Sequence, residues 1–82
     1  SGVEIGKVKS VNLIDGGNRV RVDFAIDRSI RLYQSTTAQI RYLDLLGNRF
    51  VELKRGMGDG ADQILPAGGL IPLSRTSPAL DL

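Results

Sequence analysis

The chain has 82 residues, 41% of them hydrophobic, and its eleven basic and nine acidic side chains leave a net charge of +2. It contains no histidine and no cysteine, which excludes Ser-His and Cys-His catalysis, histidine or thiolate metal sites, and disulfide staples. No like-charged run reaches three residues, so the charges read as a solvated surface rather than a stripe that tracks phosphates.

No apolar run is long enough to span a membrane, and the length suits one small domain. A chain this short buries about 60 to 65% of the surface it exposes when unfolded, so support from neighbouring chains or segments is expected.

In chain order, Val3, Ile5 and Val8 alternate with polar residues, and Val11 and Leu13 resume the alternation out of phase. The Asp15-Gly16-Gly17-Asn18 turn predicts that Leu13 pairs with Val20 and Val11 with Val22. Bringing Val8 opposite Phe24 then requires one extra residue near Lys9 and Ser10, a β-bulge. Val20, Val22, Phe24 and Ile26 form the clearest strand, with Phe24 expected inside and Arg19, Arg21 and Asp23 facing out. Asp27 to Ser35 breaks the period and crosses to the next hairpin, carrying Ile30, Leu32 and Tyr33 against a sheet edge.

Thr36 to Leu43 and Asn48 to Lys54 read as a second hairpin. If Leu43 pairs with Asn48, Ile40 falls opposite Val51 and Ala38 opposite Leu53, all four on one apolar face. Gln39, Arg41, Phe50 and Glu52 share the other face. The tip is unusual, because hairpin turns favour Gly, Asn, Asp, Ser and Pro, whereas Leu45 and Leu46 stand here at the apex. Burying a leucine is worth roughly 1.5 to 3 kcal/mol, so two at an apex mark a partner or ligand surface unless the loop folds back onto its own domain.

Arg55 to Asp62 is rich in glycine and aspartate and reads as a mobile loop. It has neither the strand, helix and Lys-Ser/Thr step of a phosphate loop nor the regular acidic ligands of a calcium loop. Gln63 to Leu65, a Pro66-Ala67-Gly68-Gly69 turn and Leu70 to Leu73 read as two short final strands, the last an edge because of Pro72. Ser74 to Leu82 reads as an exit, with Ser77 as cap and Pro78 in the first turn of a helix.

Three stretches resemble the mammalian cell entry (MCE) family. Gly2-Val3-Glu4-Ile5-Gly6-Lys7-Val8 is similar to its opening motif, Ile40 to Leu53 to its signature hairpin with a Leu-Leu-Gly step, and Leu65 to Gly69 with Ile71-Pro72 to its closing turn and strand. The tail resembles the mycobacterial branch, within it the second-subunit (B-type) chain.

The resemblance implies an all-β domain, a small barrel of about six or seven short strands over residues 1–73, its preceding strand lying outside the fragment, with residues 74–82 leading to a helical region. It implies a lipid-transport component without catalysis or cofactor. Such domains assemble with other MCE subunits into hexameric rings, here a hetero-hexamer, served by an ABC-type permease and ATPase in the cell envelope and tethered to the inner membrane by an N-terminal segment. Lipid cargo passes a central pore, and the matching positions are Leu45 and Leu46, with Leu43 and Gly47 shaping the loop.

Two other functions are open from the residues. Phe50 and Arg41 could stack on and neutralise single-stranded nucleic acid or grip a peptide, although no RNA-binding signature accompanies them. For an enzyme, Glu52 is the acid nearest the central hairpin, but its neighbours Gln39 and Arg41 predict a surface ion pair instead.

Overall fold

The computed structural model describes residues 2–78. Among the described residues, seven strands and two short 3-10 turns fall into two units, Ser1–Ile30 and Arg31–Leu82.

The first unit is one antiparallel hairpin of β1 (Gly6–Ile14) and β2 (Arg19–Ile26), joined by a 3-10 turn over Asp15–Gly17. The expected register is present in full: Leu13 faces Val20, Val11 faces Val22 and Val8 faces Phe24, with the shift between Val8 and Ser10. The bulge leaves Lys9 unmatched and so keeps Val8 on the same face as Val11 and Leu13. Beyond the strands, the amide of Asp27 donates to the carbonyl of Ile5 at 2.8 Å. On the opposite face Asp23 accepts from Ser10 Oγ at 2.9 Å and from Arg21 Nε at 3.0 Å. These bonds hold its carboxyl below the usual carboxylate range, Ser10 contributing most.

The second unit contains β3 (Leu32–Tyr33), β4 (Thr37–Tyr42), β5 (Arg49–Lys54), β6 (Ile64–Leu65) and β7 (Thr76–Ser77). β3 pairs with β6, placing Leu32 opposite Leu65 and Tyr33 opposite Ile64. β4 is the middle strand of a three-stranded sheet, antiparallel to β5 on one side and parallel to β7 on the other. Ala38 faces Leu53 and Ile40 faces Val51, as the apolar pairing predicts. The all-β class and the strand number agree with the sequence. Among the described residues the ladders form three sheets.

Three local expectations need correction. Leu70 to Pro72 is not a strand; the chain runs from the Pro66–Gly69 turn, closed by a 2.9 Å bond from Gly69 N to Pro66 O, to a 3-10 turn at Leu73–Arg75. The final strand is Thr76–Ser77, inside the segment expected to be the exit, where backbone pairing with Ala38 and Gln39 outweighs the adjacent Pro78. Ser77 is therefore extended rather than a helix cap, and the rest of that expected helix, beyond Pro78, lies outside the described residues.

The glycine-rich stretch is bridged by one side chain. Arg55 donates to the carbonyl of Ala61 at 3.1 Å from Nε and 2.7 Å from an Nη, pairs with Asp62 at 3.3 Å, and lies 3.8 Å from the centroid of the Tyr33 ring. One side chain thus ties both ends of the loop to β3.

The most enclosed residues are polar. Among the described residues only Ser35 and Thr36 are buried, and no apolar side chain is. Ser35 Oγ donates to the carbonyl of Gly56 at 3.0 Å, and the amide of Thr36 reaches the carbonyl of Tyr33 at 2.9 Å. Phe24, expected inside, is half-buried, and Leu13 on the apolar face of the first hairpin remains 73% exposed.

Candidate functional site at the hairpin tip

The β4–β5 hairpin closes through a 2.6 Å bond from Leu43 N to Asn48 O, the pairing expected from the sequence. Four residues, Asp44 to Gly47, form the apex. Their conformation is set by Asp44. Its Oδ1 accepts from the amides of Leu46 at 2.9 Å and Asn48 at 3.3 Å, and its Oδ2 accepts from the Asn48 side-chain amide at 2.7 Å. An aspartate that bonds the backbone two residues on imitates a backbone turn, which lets a short loop hold its shape without apolar packing. Gly47, at φ 91°, supplies the left-handed step that returns the chain to β5.

With the backbone so fixed, the leucines point away from the protein. Leu45 is 96% exposed, Leu46 90% and Leu43 69%. The loop does not fold back to complete its own core. Leaving Leu45 and Leu46 in water forgoes roughly 3 to 6 kcal/mol of burial, so their presence at a stiffened apex is not explained by stability.

The charge at the tip is organised as well. The Asp44 carboxyl lies below the usual carboxylate range, chiefly through the Asn48 side-chain bond, so it is ionised at neutral pH with its oxygens turned onto the loop's own donors. Behind the apex Tyr42 faces Arg49, whose guanidinium carbon is 5.9 Å from the ring centroid. On the other face Arg41 faces Phe50 and lies 3.7 Å from Glu52, which also reaches Lys54 at 3.5 Å. The surface ion pair expected for Glu52 is there. It also engages the arginine that a nucleic-acid or peptide surface would need.

The structure brings Leu43, Leu45, Leu46 and Gly47 together at one apex. Sequence reasoning missed Asp44, the residue that shapes the loop, although an aspartate at the first position of a short turn with an asparagine four residues on was available as a signal.

A search of curated proteins found no match to the chain. The family model described as MlaD protein matches residues 1–56, from before β1 through the whole β4–β5 hairpin and its tip. With 56 of 82 residues matched, the chain belongs to the MlaD protein family, the MCE domains of lipid-transport systems.

Proposed function

We propose that Leu45 and Leu46 line a lipid path in an assembly of MCE domains, with Leu43 and Gly47 shaping the loop that carries them. Domains of this family are non-enzymatic, envelope-associated components of multi-subunit lipid-transport complexes. The observation that carries the reading is an apex whose two leucines are 96% and 90% exposed on a backbone braced by Asp44. Apolar side chains presented in this way shield acyl chains from water while making no strong polar bond that would retain the cargo. The braced loop supplies the surface in advance, so little ordering entropy opposes each encounter.

On this reading the chain works in a hexameric ring with other MCE subunits, as the B-type member of a mycobacterial set. An ABC-type permease and ATPase serve the ring, and an N-terminal segment outside these residues tethers the chain to the inner membrane.

The test places a photo-crosslinking residue at position 46 of the full-length chain, expressed with its partner subunits. Lipid adducts at position 46, absent from a matched probe at Arg21, are expected. Only protein adducts during active transport would overturn the lipid path and leave the tip as a seal between subunits.

A further inference from the structure

We propose that Arg49 is a head-group contact beside the apolar tip, so that this end of the hairpin takes amphiphiles with an anionic head in preference to neutral ones. The proposal rests on the lipid-path reading of Leu45 and Leu46 and adds the class of cargo.

Arg49 opens β5, one residue beyond the Asn48 that closes the loop with Leu43. It is exposed and faces Tyr42 across the hairpin, its guanidinium carbon 5.9 Å from the ring centroid. Among the described residues no carboxylate lies within ion-pair distance of it, whereas Arg19, Arg21, Arg41 and Arg55 each have one. Arg28, Arg31 and Arg75 also lack such a partner. What sets Arg49 apart is its place at the strand end that the Leu45–Leu46 loop runs into, across from Tyr42. Asp44, the acid of the tip, has its oxygens engaged by Leu46 and Asn48.

A guanidinium without a carboxylate partner keeps its N–H edge free, and that planar edge matches a carboxylate or a phosphate in two-point geometry. The two exposed apex leucines, on the loop that leads into an uncommitted cation, are complementary to an amphiphile with an apolar tail and an anionic head. A neutral alcohol or sterol would meet the leucines but leave the cation without a partner.

The test follows the leucine methyl and arginine Nε signals of the full-length chain by NMR during titration with decanoate or decanol. Both are used at neutral pH as monomers. Both ligands are expected to shift the Leu45 and Leu46 methyls, with decanoate about two- to fivefold tighter, the range an exposed ion pair provides, and moving the Arg49 signal too. Arg49→Gln should abolish that difference with the remaining spectrum unchanged, Arg49→Lys should restore part of it, and Arg21→Gln, which removes the same charge elsewhere, should leave it intact. Methyl shifts of equal affinity for the two ligands, or a difference that survives Arg49→Gln, overturn the role of Arg49 and leave the lipid path standing. If neither ligand moves the leucine methyls, both ideas fail.

Discussion

Asn48 gives both of its nitrogens to Asp44, the backbone amide at 3.3 Å to one carboxylate oxygen and the side-chain amide at 2.7 Å to the other. The arrangement makes the shape of the apex depend on a titratable group. Because hydrogen bonds to the ionised form depress the folded-state pKa of Asp44, its contribution is complete above the unfolded carboxylate value. It is lost as pH falls through the lowered folded value. The amide shifts of Leu46 and Asn48 should therefore hold constant through the ordinary carboxylate range and change only at more acid pH. Asp44→Asn, which retains an acceptor for the two amides, should remove that acid transition yet keep the loop closer to the native shape than Asp44→Ala.

The tip leucines should be separable from stability. Replacing Leu45 and Leu46 together with serine should change the unfolding free energy by no more than about 0.5 kcal/mol, as for other exposed substitutions. The same variant should lose transport. Thermal melts read beside a transport assay check this, and a large drop in melting temperature would mean the leucines pack against the protein after all.

Glycine substitutions should divide by mechanism. A Cβ at Gly47 would meet nothing within 4 Å, so Gly47→Ala costs only backbone strain at φ 91°, about 1 to 2 kcal/mol. At Gly56 a Cβ would run into the carbonyl oxygen of Ser35, which cannot move aside without breaking the buried Ser35–Gly56 contact. Gly56→Ala should therefore be the more damaging of the two by denaturant titration, and Ser35→Ala, which loses only the hydroxyl bond, should cost about 1 kcal/mol.

Arg55 should not tolerate lysine. The guanidinium makes two bonds to one carbonyl and sits 3.8 Å from the Tyr33 ring centroid, and an ammonium cannot reproduce that fork. Arg55→Lys should speed hydrogen exchange at Ala61 and Gln63, whose amides close turns onto Gly58 and Gly60 at 3.1 Å, and leave the β1–β2 amides unaffected.

Both hairpin registers were legible because each depends on local pairing. A turn of known length and a period-two alternation leave one arrangement that matches apolar with apolar, including the bulge at Lys9. The exposure of the tip was legible for the same reason, since four residues cannot carry Leu45 and Leu46 back to the strands. What escaped was long-range. Thr76 and Ser77 have no strand pattern of their own and pair only because β4 offers an open edge. Composition makes Arg55 to Asp62 look loose because it does not show that Arg55 reaches Tyr33, 22 positions earlier. Asp44 lay within a stretch already singled out, but the apolar signal of its neighbours drew the inference past it.

The lack of any buried aliphatic or aromatic side chain among the described residues has a calorimetric consequence. The heat-capacity increment of unfolding comes from apolar surface newly wetted, and much of that surface is wet already. The increment should fall below the about 1.0 to 1.2 kcal/mol/K typical for 82 residues, giving a flat stability curve with little loss on cooling. Docking of the exposed strands and tip against partner subunits would restore the missing increment, so the heat capacity of melting reports how much of this domain is covered by others.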